Sequence, residues 1–362
     1  DLHSIPGPAL FLAGPGTGKT YTLGKRIKFL VEEANVPPDQ ITVITFTAAA
    51  AKQMRDRISN PSKEHEALYI EPDRQPKSIR TMHGLGFRII KDPRINLGFA
   101  CESVVHEYVQ QEMICGDAAQ LAGYGRITAV DTLQTRRLGF NSSKDEKIER
   151  TMRQYEQLLR SCSAIDFDDQ IFLACKALRS HADMLKDYQQ QCRHLLIDEY
   201  QDINAAQYDL IRLLSDGHTD GVFVVGDDDQ SIYSWRGGSP EFIRRFEKDF
   251  GKETTVKQLL VSRRCHEHIL EGALSAVSKF DGNRFKKGPF EYTHPAVAPI
   301  EIHSAPSDEK EARIITAIVE AALPTKDVLI LVPHRGFADA IARALARAHI
   351  PFSADLTMPG EG

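Results

Sequence analysis

Several features are missing from these 362 residues, and each absence narrows the field. No apolar run is long enough to cross a bilayer and no secretory leader opens the chain, so no membrane role is expected. The six cysteines, Cys101, Cys115, Cys162, Cys175, Cys192 and Cys265, never fall at C-x-x-C spacing. They are read as reduced, mostly buried thiols of a cytoplasmic protein, not as a disulfide frame or a zinc site. There is no excess of positive charge. At a formal net charge of -5, a nucleic-acid partner would need a local basic groove. Tryptophan occurs once, at Trp235, and glutamine is absent from residues 1–12. No methionine precedes Asp1, and the chain stops abruptly at "LTMPGEG", so both ends are read as cut. What is present, 42% hydrophobic and 26% charged residues, describes a globular protein, and the length predicts two or three domains.

The first informative stretch is "LFLAGPGTGKTYTL", Leu10 to Leu23. "PALFLA" suits a buried parallel strand, and "TYTLGKRIKFLVEE" has helical periodicity, with Leu23, Ile27, Leu30 and Val31 on one face. Between them, Gly14, Pro15, Gly16, Thr17, Gly18, Lys19 and Thr20 form a phosphate-binding loop. Its glycines turn backbone N–H groups inward, Lys19 reaches the β- and γ-phosphates, and the Thr20 hydroxyl holds Mg²⁺. The strict pattern has glycine where this chain has Ala13. Such a loop needs acidic partners, and "HLLIDEYQD" supplies them. Leu195–Ile197 form a strand, Asp198 at its carboxyl end orients the Mg²⁺, and Glu199 is the candidate general base.

The loop does not say what ATP drives. "VFVVGDDDQSIYSWRGG" is more specific. Gln230 and Arg236 can point at phosphate while Trp235 offers a flat face for a nucleobase, and the polar, glycine-rich flanks suit a loop better than a core.

Taken with its neighbours, this segment resembles the UvrD/Rep/PcrA group of superfamily 1 DNA helicases. "GPGTGKT", "LLIDEYQD" and "GDDDQSIYSWRGG" resemble that family's first three motifs, with Tyr200 where phenylalanine is common. "VITFTAAAAKQMRDRI" and "IRTMHGLGFRII" resemble motifs that grip single-stranded DNA, and "LLVSRRCHEHIL" resembles a degraded fourth motif. The resemblance implies γ-phosphate contacts from Gln230, Arg236 and Arg264, base-stacking or base-separating aromatics at Phe46, Tyr233 and Trp235, and DNA-contacting loops at Thr47, Thr81 and His83. It implies ATP and Mg²⁺ as cofactors, and single-stranded DNA and single/double-strand junctions as partners. Ala48 and Ala49 stand where Asn-Lys is usual. Ser262, Arg263, Arg264 and Cys265 stand where Asn-Tyr-Arg-Ser is usual, so the Arg263 guanidinium takes the adenine-stacking place of the tyrosine. The fifth and sixth motifs do not occur, and the chain is expected to be incomplete for full activity.

The expected fold is α/β, a P-loop NTPase (RecA-like) parallel sheet with a helical insertion and the start of a second RecA-like domain. Residues 1–85 and 186–278 form the ATP-binding domain, with strands at Leu10–Ala13, Ile41–Phe46, Ser78–Thr81, Leu195–Ile197 and Val222–Val225. Residues 86–185 form the helical insertion, where Asp166 and Asp168 are read as helix capping in preference to a metal site. Residues 279–362 form an incomplete second domain, with strands in "APIEIHSA" and "DVLILVP" and two helices. Arg284, Lys286 and Lys287 either touch a phosphate backbone or lie in a solvated loop. Three functions remain open. One is an ATP-driven single-strand translocase, 3′ to 5′ by resemblance, that unwinds duplex in repair or replication. The others are a non-unwinding regulatory DNA-binding ATPase, and the helicase part of a helicase–nuclease.

Overall fold

The computed structural model describes residues 4–62, 66–99, 101, 103–105, 108–279, 282–293, 299–323 and 327–353. Its contacts divide the chain into two compact units, Asp1–Val297 and Ala298–Gly362. The division falls after the expected start of a second domain near Lys279.

The first unit is built on one six-stranded sheet. In spatial order the strands are Ser78–Thr81, Ile41–Thr45, His194–Ile197, Val222–Gly226, Ala9–Ala13 and Thr255–Leu259, and every pairing is parallel. The inner strands are near-continuous apolar runs because both of their faces are covered. Alternate residues serve opposite faces. Leu10, Leu12, Ile44, Leu195, Ile197, Val222 and Val224 pack with helices Met82–Ile90, Phe167–Ser180 and Ala205–Ser215. Phe11, Val43, Leu196, Phe223 and Val225 pack on the other side with helices Lys19–Glu32 and Ala48–Ser59. The edge strand Thr255–Leu259 was not expected from the sequence. Its Lys257 and Gln258 are exposed, so it lacks the apolar run that marks its neighbours.

The insertion forms its own small core. Helices Tyr108–Leu121, Arg126–Arg137 and Glu146–Ser161 bury Cys115, Ala118, Leu133, Tyr155 and Leu159 against one another. Asp166 caps helix Phe167–Ser180 in a capping box with Asp169, as the capping reading expects. The fully buried Arg136 donates to both carboxylates, at 3.1 Å from Asp166 and 2.7 Å from Asp169, and the Tyr155 hydroxyl adds a bond to Asp166 at 3.0 Å. A guanidinium therefore fills the place where a cation was weighed.

In the second unit, helices Asp308–Ala322 and Ala338–Arg347 pack through Ala312, Val319, Ile341 and Leu345. Both helices match the sequence pattern. The two expected strands do not form among the described residues. The backbone of 299–305 and 327–333 has no ladder, and Ile302, Leu329 and Leu331 are 94%, 82% and 84% exposed. A parallel strand exists only through its neighbour's hydrogen bonds, and neither segment has such a neighbour here.

Candidate functional site

The site lies at the carboxyl ends of the central strands, where open parallel sheets bind ligands. After strand Ala9–Ala13 the chain turns through Gly14–Gly18 into helix Lys19–Glu32. Gly16 and Gly18 lie in the left-handed region, at φ 70° and 96°. A side chain on Gly16 would also collide with its surroundings, since its Cβ would lie 2.6 Å from that of Arg264. Thr17 closes the loop by donating from N and Oγ1 to the Gly14 carbonyl, at 3.3 and 2.9 Å. The helix carries no acidic residue in its first turn, so its positive end stays uncompensated for an anion.

The segment after the edge strand braces this loop from outside. Ser262 Oγ donates to the Pro15 carbonyl at 2.9 Å, and the Arg263 N–H donates to the Gly16 carbonyl at 3.0 Å. Arg263 and Arg264 thus stand beside the phosphate loop, as the motif resemblance implies. Ser262 was seen only as a replacement for asparagine, and its anchoring role has no local sequence signal.

Lys19 Nζ donates to Gln230 Oε1 at 2.8 Å and lies 3.7 Å from Glu199 Oε2. Three sequence-expected residues therefore meet at one point. Asp198 is buried beside them and bonds the Thr20 hydroxyl, and burial, followed by the charge of Glu199, pushes its carboxyl up to about 7. Glu199 adopts φ 50°, ψ 49°. This left-handed conformation costs a side chain of its size about 1–3 kcal/mol and aims the carboxylate into the site. Gln201, which the sequence reading passed over, ties the site together. Its Nε2 donates to Glu199 Oε2 at 2.9 Å and to Asp202 Oδ2 at 3.0 Å, while its Oε1 accepts from the Asp227 N–H at 3.0 Å.

The loop that carries Gln230 continues to the aromatics. The Tyr233 ring sits 4.9 Å from that of Phe46 and 6.3 Å from that of Trp235. Trp235 is 62% exposed, so it is not a core residue. Thr47 and Thr81 cap the helices that follow adjacent strands, accepting from the Ala50 and Gly84 N–H groups at 3.0 Å each. The His83 ring meets Phe167 edge-on at 5.2 Å. The Arg236 side chain lies outside the described residues.

Asp227, Asp228 and Asp229 form the one carboxylate grouping among the described residues that could hold a metal ion. Lys287 and Arg284 turn into it. Neither a phosphate-backbone contact nor a solvated loop is what these two residues make, whereas Lys286 between them is exposed.

No helix among the described residues is long and apolar enough to cross a membrane. The family described as UvrD/REP helicase N-terminal domain matches residues 2–251. The ATP-dependent DNA helicase PcrA of Leuconostoc citreum is 31% identical over 97% of this chain and 48% of its own length. The ATP-dependent DNA helicase Rep of Escherichia coli is 30% identical over 87% of this chain and 47% of its own length. A Rep helicase of Buchnera aphidicola is 33% identical over the same shares. The chain spans about half the length of the curated relatives it matches. Its match over more than two-thirds of its residues, on a parallel sheet with Lys19, Asp198, Glu199 and Gln230 gathered at its carboxyl edge, places the chain in the UvrD/REP helicase family, within that family's N-terminal domain.

Proposed function

We propose that this chain is the ATP-hydrolysing and strand-gripping part of a DNA helicase that moves 3′ to 5′ on single-stranded DNA and opens duplex at single/double-strand junctions. One observation carries the reading. A single short loop holds Gln230 against Lys19 at one end and Tyr233 against Phe46 at the other, so a change at the nucleotide reaches the base-stacking surface through a few residues. The relatives are named as ATP-dependent DNA helicases, which supports the same reading.

Gly14 to Gly18 cradle the phosphates, Lys19 neutralises them, and Glu199 accepts the proton of the attacking water. Gln230, Arg236 and Arg264 contact the γ-phosphate, and Arg263 lies against the base. Thr20 and Asp198 would hold Mg²⁺, which supplies positive charge to the phosphate oxygens. The donor set fits: a buried carboxyl pushed up to about 7 beside a hydroxyl is a hard-oxygen pair short of positive charge. Phe46, Tyr233 and Trp235 stack bases, and Thr47, Thr81 and His83 stand at the neighbouring strand ends. The ATP-binding domain is 1–85 with 186–278, the insertion is 86–185, and a second RecA-like domain begins in 279–362. Six free thiols favour a cytoplasmic setting.

The test is ATP turnover by the full-length polypeptide with and without single-stranded DNA, together with strand displacement. DNA-stimulated turnover is expected, as is a loss of about 1–3 kcal/mol in strand binding for Trp235→Ala, the usual worth of one base–aromatic stack. Turnover indifferent to DNA would sink the coupling. Stimulated turnover with no displacement would favour the non-unwinding ATPase.

A further inference from the structure

Residues 284–293 touch every moving part of the proposed nucleotide site. Lys287, 3% exposed, places Nζ against Asp227, 2.8 Å from Asp228 Oδ1 and 2.7 Å from Asp229 Oδ2. Arg284 Nε donates to Asp229 Oδ1 at 2.8 Å, and the Phe285 N–H donates to Asp228 Oδ2 at 2.9 Å. The carboxylate face of this loop is therefore held by one short segment. Further on, the Phe290 ring lies so close to Gly14 that a Cβ there would be 2.1 Å from it. Glu291 and Tyr292 pair in parallel with Val261 and Ser262, whose hydroxyl holds the Pro15 carbonyl.

The connection onward is continuous. Asp227 takes Lys287 on Oδ1 and the Gln230 side-chain amide on Oδ2, at 2.7 Å for the latter, and Gln230 Oε1 accepts from Lys19. Rotating Asp227 would release Gln230. Burial opposes the charge on Lys287, yet the carboxylates, Asp227 foremost, hold the ammonium above its ordinary value. A charged group so deeply buried persists because it is fully paired, and removing it leaves three carboxylates facing each other.

We propose that Lys287 is a positioning residue of the nucleotide site, the buried peg of a brace formed by residues 284–293 that fixes Asp227 and through it aims Gln230 at the γ-phosphate. This rests on the ATP-hydrolysing reading for what Gln230 contacts, but the brace itself is a property of the loop with or without nucleotide. Phe290 and the Glu291–Tyr292 pairing extend the same brace to the phosphate loop, so both phosphate-facing loops are referenced to one segment.

The experiment compares wild type, Lys287→Met and Lys287→Met with Asp228→Asn in the full-length protein. The double variant removes one carboxylate together with the ammonium and guards against simple loss of folding. Amide exchange at Asp227–Gln230 without nucleotide is expected to quicken in both variants, and unchanged exchange overturns the brace whatever the nucleotide results. In turnover, both variants are expected to lose about 10²-fold in kcat, the scale of a small misplacement of a reacting group. ADP affinity is expected to hold while the preference for a non-hydrolysable ATP analogue over ADP disappears. Adding Lys287→Met to Gln230→Ala is expected to cost no further turnover, because both act through one contact. Additive losses, or equal loss of ADP and analogue binding, overturn the positioning role. Wild type binding neither nucleotide sinks the ATP-hydrolysing reading instead, and leaves the exchange result to decide the brace.

Discussion

Glu199 carries two burdens at once, a left-handed backbone and a carboxylate poised 3.7 Å from Lys19. Glu199→Gln keeps the shape and the Gln201 contact but cannot take a proton. Nucleotide binding is expected to survive while turnover falls about 10²–10⁴-fold, the usual worth of a general base. Hydrolysis at the wild-type rate would remove Glu199 from that role. Asp202 makes a different test. Its carboxyl has one buried oxygen without a hydrogen-bond partner, and burial, followed by Glu199, pushes it from 3.8 up to about 7. An acid that holds its proton more tightly folded than unfolded weakens the fold as pH rises between those two values, and the penalty is complete above the upper one. Asp202→Asn removes the penalty and still accepts from Gln201. Thermal melting of the nucleotide-free protein is expected to show a gain at pH 8 that shrinks as pH falls from about 7 toward 3.8. A gain independent of pH would mean the carboxyl is not held protonated.

At the scale of elements, the insertion depends on a charge that no sequence pattern reveals. Arg136 ends the helix Arg126–Arg137 in a run, "QTRR", that reads as solvated surface, yet its side chain is fully buried between Asp166, Asp169 and the Tyr155 ring. Arg136→Met strands two buried carboxylates, and such a broken pair costs about 3–5 kcal/mol. Denaturant unfolding should show that loss, with proteolysis starting in residues 108–161. A change within the range of an exposed pair, under about 1 kcal/mol, would contradict the burial. The elements legible in the sequence were those whose cause is local. "PALFLA" and "VFVVG" are apolar throughout because both sheet faces are covered, and Asp166 announces a cap three residues before Asp169. The phosphate loop and the Asp198–Glu199 pair are local in the same sense. What stayed hidden is held across long sequence separations: Ser262 to Pro15 over 247 residues, Lys287 to Asp227 over 60, and Gln201 to Asp227 over 26. The strand Thr255–Leu259 was hidden because an edge need not be apolar, and 299–305 was read as a strand because an apolar run does not reveal whether a neighbour exists.

For the whole molecule, the boundary of the nucleotide-binding unit is the most consequential difference between pattern and structure. Motif order alone ends the ATP-binding domain near residue 278, after the last recognisable motif. The contacts carry the first unit on to Val297, and the reason is electrostatic. Asp227, Asp228 and Asp229 sit at the end of a central strand, and Lys287 and Arg284, which answer their charge together with Arg244, come from residues past 278. A fragment of residues 1–278 would therefore retain every motif and lose the segment that makes the acidic loop tolerable. It would also lose Phe290 from the phosphate loop and the strand pairing that steadies Ser262. Fragment 1–297 is expected to unfold cooperatively and to bind ATP as the 362-residue chain does. Fragment 1–278 is expected to melt lower and to bind ATP weakly, with the deficit largest at low ionic strength, where unscreened carboxylates repel most strongly. Raising salt should narrow the gap in melting temperature between the two fragments, since screening acts on repulsion and leaves the lost apolar contacts of Phe290 untouched. Equal nucleotide affinity in 1–278 and 1–297 would show that the phosphate and acidic loops hold their geometry unaided, and would return the boundary to residue 278.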